Sequence, residues 1–437
     1  MIEQQEHSII TYYNVTLGDL TREGDTLAEI LLQQADGETR TQTVRVPAGL
    51  PGERVTIAVE VPPERTGRRR HARKPRPLRV WITDIQEPSP LRIQAPCPVF
   101  GTCGGCQLQH MRYEAQLAWK REIVRRALQE IGGFPEPPLL DTIPCAIPWH
   151  YRNHMRFSVN REGQPGLTAR GTHRVLPLTT CPIAHTQINR ALDILSRHIH
   201  PRPQLLIRCG AASGQVLIQP AQPEEVAREL VAAGLDVRTE TMEEHLAGET
   251  FRIRPSSFFQ TNTAQAEKMV QMVLDGLLPL REQHANRPEK QGEPLTVVDA
   301  YCGVGTFSLL LAHHFDRVIA IEESASAIKD AQWNLRTVNN VEIIKGKVEE
   351  VLPAYVGHLD GLVIDPPRAG CQRMVLDALA HYPVQRLVYV SCEPSTLARD
   401  LHILCQEQSA YHLCQVQPLD MFPQTAHIEC IAILERS

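Results

Sequence analysis

The chain has 437 residues, 42% of them hydrophobic and 22% charged, with a net charge of −5 and 12 cysteines. That length exceeds what one core organises, so two or three domains are expected, and the balance is that of a soluble globular protein rather than a disordered one. No charged-then-apolar leader opens the sequence and no apolar run could span a bilayer, which predicts a cytoplasmic protein without membrane contact. Disulfides are rarely kept in that compartment, so the cysteines should be ligands, catalysts or core residues.

Residues 1–85 read as a small all-β module. Short strand-like runs at 11–14, 26–32, 41–46 and 54–61 are separated by turn signals at Gly24-Asp25, Asp36-Gly37 and Pro51-Gly52. That spacing predicts a small barrel of the oligonucleotide-binding type. The negative net charge excludes a uniformly basic coat, yet residues 65–79 carry Arg65, Arg68, Arg69, Arg70, Arg73, Lys74, Arg76 and Arg79 with no acid among them. Such a run is either a solvated loop or a phosphate-contacting arm, and its place near the last strands favours RNA.

A proline-rich linker at 86–96 opens a central α+β domain, 86–250. Cys97, Cys103 and Cys106 follow in a C-x5-C-x2-C spacing with Gly104 and Gly105 in the last interval. Glycines let a loop fold tightly enough for several sulfurs to converge. A fourth ligand is needed, Cys181 being the first candidate and Cys145 the alternative. Four thiolates suit a structural zinc or an iron–sulfur cluster; without a second C-x2-C pair, a [4Fe–4S] cluster is the better reading. Residues 114–131 are an amphipathic helix with Leu117, Val124, Leu128 and Ile131 in the apolar stripe, closed by Gly132-Gly133. Residues 151–159 alternate as a strand whose open face holds Arg152, His154 and Arg156.

From 251 the character changes to an α/β domain. An amphipathic helix follows Phe258-Phe259-Gln260-Thr261-Asn262, residues 281–294 form a polar loop, and strands at 295–300, 317–321, 341–344, 361–365 and 386–391 alternate with helices. That is the order of a doubly wound, Rossmann-like parallel sheet. Asp299-Ala-Tyr301-Cys302-Gly303-Val-Gly305-Thr306 is a strand, a glycine turn and a helix start; Ser308 replaces the third glycine of a dinucleotide fingerprint. With Glu322 closing the next strand, where a carboxylate can accept ribose hydroxyls, the pattern suits S-adenosylmethionine (AdoMet) better than a dinucleotide. Cys302 reads as a core filler. Asp365 precedes Pro366-Pro367-Arg368, and the prolines fix its direction. Cys392 sits at a strand's carboxyl end before Pro394, where open α/β sheets carry their chemistry. Alone, Cys392 would be a small buried hydrophobe, Glu429 an edge-strand carboxylate and His427 a capping or core histidine.

Together these motifs resemble the AdoMet-dependent RNA uridine-5-methyltransferases that carry an N-terminal TRAM domain and an iron–sulfur cluster. The likeness runs nearly the whole chain: the small barrel, C-x5-C-G-G-C with a distant cysteine, F-x-Q-x-N, D-x-x-C-G-x-G, DPPR, S-C-x-P-x-T-L-A-R-D and H-x-E near the C-terminus. The resemblance implies a TRAM-like RNA-binding barrel at 1–85, an iron–sulfur domain at 86–250 and a methyltransferase domain at 251–437. It makes Cys392 the nucleophile that adds to C6 of uracil and Glu429 the base that removes the C5 proton. Gln260, Tyr301, Thr306, Glu322 and Asp365 fall where the family contacts AdoMet, Gln260 and Asp365 also lying near the target base. Lys347 stands where an acid or amide would face adenine. A monomer acting on 23S ribosomal RNA is implied, with the T-loop uridine of transfer RNA as the alternative. A non-catalytic iron–sulfur RNA-binding protein is the rival class.

Overall fold

The computed structural model describes residues 9–33, 39–61, 78–286 and 292–437. They divide into two compact units, one reaching to Gln116 and including Gln424–Ala426, the other comprising Leu117–Pro423 and His427–Ser437.

In the first unit, β1 (Ile9–Thr16), β4 (Arg54–Val61) and β5 (Arg79–Glu87) form an antiparallel sheet in the order β1-β4-β5, and β2 (Thr26–Gln33) pairs with β3 (Thr39–Val46). The alternation of β4 turns Val55, Ile57 and Val59 onto Ala28, Ile30, Val44 and Val46. Each such side chain contributes about 1.5–3 kcal/mol by leaving water. Glu53, wholly buried, accepts from the Leu50 and Ser89 amides and is clamped by the Arg92 guanidinium at 2.5 and 2.6 Å. β5 is the strand expected after the basic run, and it takes in Gln86 and Glu87 of the expected linker. Residues 65–77 of the basic run lie outside the described residues, as does the Asp36-Gly37 turn.

In the second unit, α1 (Tyr113–Glu130) leads to a six-stranded sheet. Its strands are β6 (His154–Val159), β7 (Pro165–Thr168), β8 (Val175–Pro177), β9 (Gln204–Cys209), β10 (Gln215–Gln219) and β11 (Asp236–Arg238), in the order β11-β10-β9-β6-β7-β8. Helices α2 (Thr186–Leu195) and α3 (Glu224–Ala232) accompany it, and the hairpin β12 (Met242–Leu246) and β13 (Glu249–Ile253) follows. Helices α4 (Thr263–Leu277) and α5 (Pro279–Ala285) then precede a seven-stranded sheet.

That sheet runs β16-β15-β14-β17-β18-β20-β19. Its parallel part is β14 (Thr296–Ala300), β15 (Arg317–Glu322), β16 (Val341–Lys345), β17 (Gly361–Ile364) and β18 (Arg386–Ser391). The antiparallel pair β19 (Tyr411–Leu419) and β20 (Glu429–Arg436) completes it, β20 lying between β18 and β19. Helices α6 (Thr306–Ala312), α7 (Ala325–Asn334), α8 (Val348–Val351), α9 (Arg373–His381) and α10 (Pro394–Leu401) connect the strands. The continuous apolar runs of β14, β17 and β18 are buried along their length, as a sheet covered on both faces requires. Among the described residues no helix is long and apolar enough to cross a membrane.

Two corrections follow. Ile131 is 45% exposed because α1 stops at Glu130, and the buried stripe runs instead through Lys120. Glu429 does not sit on an edge strand, because β19 covers β20. Lys120 Nζ meets Asp420 Oδ1 at 2.6 Å with both side chains fully enclosed, and it also donates to the Phe422 carbonyl at 3.1 Å. Asp420→Ala would strand a buried ammonium and is expected to cost about 3–5 kcal/mol in urea denaturation. Replacing the pair together, Lys120→Met with Asp420→Leu, should restore most of that loss; equal losses in single and double variants would refute the account.

Candidate active site

Three strand ends meet at Cys392. Ser391 is the last residue of β18 and pairs with Cys430 of β20, so Cys392 and Glu429 are the next residues across the ladder. On the other side Tyr389 pairs with Ile364, which places Asp365 just beyond the end of β17. Pro394 opens α10, and the Glu393 carboxylate caps it by accepting from the Ser395 amide at 3.3 Å and hydroxyl at 2.8 Å. Cys392 is therefore fixed in a short turn between a buried strand and a capped helix, half exposed.

Charge is poorly balanced in this pocket. Glu429 is buried, and its carboxyl is held well above the usual range by burial and by Asp365, with Arg368 acting in the opposite direction. Asp365 is raised to about 7 by burial and by Asp299. The Cys392 thiol is pushed up to about 11, first by burial and then by the carboxyls of Glu429 and Asp365, against the pull of Arg368. Among the described residues no carboxylate lies within ion-pair distance of the exposed Arg368 guanidinium. His427, expected as a cap or core residue, instead has an exposed edge beside this group; it is lowered to about 4 by burial and by Arg368, Lys120 and Arg152, so it is neutral at neutral pH.

The glycine turn lies one strand away. Asp299 on β14 is buried, accepts from Ser308 Oγ at 2.5 Å, and is raised to about 7 chiefly by burial. Tyr301, Gly303 and Gly305 all have positive φ, 67°, 56° and 84°. A Cβ on Gly303 would meet no atom within 4 Å, whereas one on Gly305 would press on Leu335 at 3.2 Å. Gly303 thus borders open space and Gly305 serves close packing on α7. Glu322 accepts from the Gly303 amide at 3.0 Å and the Ser324 amide at 2.7 Å, holding the turn against the start of α7. Thr306 is the first residue of α6, partly exposed. The chemistry of these groups suits AdoMet: an open-faced glycine and a strand-end carboxylate. Cys302 is buried and its thiol stays well above its ordinary value, in keeping with a core filler.

Gln260 is partly exposed, and its carbonyl accepts from Asn153 Nδ2 at 3.0 Å. The loop carrying it is propped by Arg208, a fully buried side chain that donates to the Ser257 carbonyl at 2.8 Å. Asn262 caps α4. Lys347 points to solvent, 3.9 Å from Glu350. The Tyr301 hydroxyl is raised above its ordinary value first by burial and then by Cys371 and Glu349.

Sequence reasoning missed the network beneath the site. The Tyr389 hydroxyl donates to Asp400 Oδ2 at 2.6 Å, and the same oxygen accepts from the Cys371 amide at 2.8 Å. Arg399 spans Asp400 Oδ1 at 2.6 Å and the carbonyls of Ala369 and Cys371 at 3.0 and 3.2 Å. Cys371 lies close enough to the Tyr301 hydroxyl for each group to act on the other. One buried carboxylate therefore ties α10 to the loop that carries Asp365 and Arg368, and through Cys371 to the glycine turn. The available signal was an acid on the apolar face of α10, beside Leu397 and Leu401.

In the first unit Cys97, Cys103 and Cys106 share one loop, closed by the Cys103 amide on the Val99 carbonyl at 2.8 Å. The Gly105 amide donates to Cys103 Sγ at 3.4 Å, and Cys97 is close enough to act on the Cys103 thiol. Cys181 belongs to the second unit, with its backbone bracketed by the Asn189 side chain. Among the described residues no three His, Cys, Asp or Glu side chains are gathered as a metal site would require.

Residues 227–437 match the family model described as tRNA (uracil-5-)-methyltransferase. An uncharacterized RNA methyltransferase of Gloeobacter violaceus is 38% identical, the match spanning 82% of this chain and 86% of that protein. Another from Nostoc is 33% identical, spanning 96% and 95%. The crystal structure of the Pyrococcus abyssi tRNA (uracil-54, C5)-methyltransferase with S-adenosyl-L-homocysteine superposes with a TM-score of 0.67 over 93% of this chain and 99% of that one, at 24% identity, which shows the shared fold. The chain belongs to the uracil-5-methyltransferase family of RNA-modifying enzymes.

Proposed function

We propose that the protein moves a methyl group from AdoMet to C5 of a uridine in RNA through a covalent adduct between Cys392 and C6. The observation that carries this reading is that Cys392, one residue beyond β18, and Glu429, the first residue of β20, follow the terminal Ser391–Cys430 pair of the ladder, with Asp365 just past the neighbouring β17. C5 of uracil is a weak nucleophile. Addition of the Cys392 thiolate to C6 makes C4, C5 and O4 an enolate-like system, and AdoMet supplies the electrophilic methyl. Once C5 carries the methyl, Glu429 takes its proton, the C6–S bond breaks and Cys392 is regenerated as a thiolate. Burial and the neighbouring Asp365 make ionised Glu429 a stronger base than an exposed glutamate. Gln260, Tyr301, Thr306, Glu322 and Asp365 would hold the donor, and Gln260 with Asp365 would border the uracil. The uridine must leave its stack to reach the pocket.

The substrate we assign is 23S ribosomal RNA, modified in the cytoplasm by a monomer; the motif resemblance supports it. The tRNA T-loop is the second reading, favoured by the names of the matching family model and of the Pyrococcus abyssi structure. Mapping 5-methyluridine in both RNAs from cells lacking the protein decides between them: the site that loses its methyl is the substrate.

We further propose a [4Fe–4S] cluster on Cys97, Cys103, Cys106 and Cys181, supported by the shared loop and the Gly105 amide directed at sulfur. Methyl transfer by this route needs no electron, so the cluster would be structural. A brown protein purified without oxygen, losing iron on Cys103→Ser, is the expected result; a colourless zinc protein would rule the cluster out.

Cys392→Ala should reduce methyl transfer to the level of a no-enzyme control while leaving RNA binding intact. Glu429→Gln should accumulate a protein–RNA adduct stable on denaturing gels, and its absence would remove Glu429 from the proton step. The same variant tests the electrostatics. A carboxyl raised on folding favours the folded state below its unfolded value, and that contribution fades as pH rises through the folded one. The melting temperature of Glu429→Gln relative to wild type should therefore climb between pH 5 and pH 8. A constant difference would mean that Glu429 is not held protonated.

A further inference from the structure

We propose that Thr396 is a positioning residue: its hydroxyl locks the turn that carries Arg368 onto α10, the helix that begins beside the nucleophile, so that Cys392 and the Arg368 guanidinium are held as one unit. The use of this lock rests on the methyl-transfer reading; its geometry does not. Pro366 and Pro367 have no N–H to give, so no ladder can register the chain as it leaves β17. Among the described residues, every backbone hydrogen bond that leaves residues 366–371 ends on a side chain of α10. Thr396, Arg399 and Asp400 supply them, and at i, i+3 and i+4 they share one helix face. Gly370 sits against that face with φ 75°. A Cβ there would come within 2.5 Å of Arg399 Nη2, 2.7 Å of Asp400 Oδ2 and 3.1 Å of Thr396 Cβ.

Thr396 is the member of that face closest to Cys392 along the helix. Its Oγ1 lies 3.1 Å from the Glu393 carbonyl and 3.1 Å from the Arg368 carbonyl, and a single hydroxyl hydrogen serves only one of them well. The Glu393 carbonyl already accepts from the Leu397 amide at 3.0 Å and the Ser391 hydroxyl at 3.2 Å, which occupies its two lone pairs. Among the described residues no other donor reaches the Arg368 carbonyl, so the hydrogen goes there. The Ser391 hydroxyl also accepts from the Glu393 amide at 3.1 Å, closing the turn around Cys392. Nucleophile and guanidinium are therefore referenced to the same first turn of α10. Arg368 favours the Cys392 thiolate, against burial and the carboxyls of Glu429 and Asp365. A slip of the Arg368 backbone would carry that charge away and make the thiolate harder to form.

The test is the rate at which iodoacetamide alkylates Cys392 in the full-length protein, followed by mass spectrometry of the peptide that contains it. Thr396→Val keeps the shape and removes the hydroxyl; it should slow alkylation about 3- to 10-fold, as a thiol does on losing part of its cationic support. Thr396→Ser retains the donor and should stay within about 1.5-fold of wild type. In an Arg368→Gln background the Thr396→Val change should add less than about 1.5-fold, because it acts through Arg368. A merely structural threonine would slow both backgrounds equally or neither, and either result overturns the proposal. Single-turnover methyl transfer from radiolabelled AdoMet to total RNA of cells lacking the protein separates the two readings. Thr396→Val should lower the maximal rate roughly 3- to 30-fold, with the enzyme concentration at half that rate unchanged within about twofold. A wild type that shows the alkylation pattern but forms no 5-methyluridine refutes the methylation reading alone. A Thr396→Val protein that methylates as fast as wild type refutes the lock alone.

Discussion

The controlling constraint in this molecule is a pocket with more acid than countercharge. Glu429, Asp365 and Asp299 lie on or just beyond three strand ends, Cys392 is beside them, and the nearest cation, Arg368, is largely in solvent. Burial makes each ionisation harder, and each ionised group raises the next. The site therefore retains protons at neutral pH until something positive or proton-accepting enters. On the proposed mechanism a sulfonium donor would bring a positive charge to these carboxylates, and a uracil ring would expel water between thiol and acid. The same imbalance that costs stability leaves a base ready once the reacting carbon is in place.

An arrangement of this kind holds only if the surroundings are rigid. Two buried carboxylates that accept side-chain donors supply that rigidity. Asp400 binds α10 to the loop after β17, and Asp420 fixes the segment after β19 to α1. Both are far from solvent and both accept hydrogen bonds from side chains. The division is physical: a buried carboxylate that accepts N–H or O–H groups is held in place by them, and one that lacks them is not.

Much of this was legible in the sequence because strand ends in α/β sheets are announced locally. The apolar run 387–390 ends at Ser391-Cys392-Glu393-Pro394, and 361–364 ends at Asp365-Pro366-Pro367, so chain order alone put Cys392 and Asp365 at strand ends. What local pattern cannot convey is who neighbours whom. Glu429 read as an edge acid because alternation reveals a strand without its partners, and only the insertion of β20 between β18 and β19 makes it face Cys392. Lys120 was passed over because an ammonium in an apolar stripe looks like an interruption until its partner, 300 residues later, is seen. The bounds of β5 were not legible, since its first residue closes a basic run and its last two belong to an apparent linker.

The reach of α1 has one more consequence. Ile123, Val124, Leu128, Phe134 and Leu139 share a core with Val298, Leu362, Tyr389, Val416 and Leu434 of the large sheet. The part that carries the chemistry is thus not an excisable module. Cutting the chain where the family match begins, at residue 227, would open a hydrophobic trench along the sheet and unclothe Asp420. Evolution of this architecture by shuffling interchangeable cassettes would have had to carry the early helix along with the late strands.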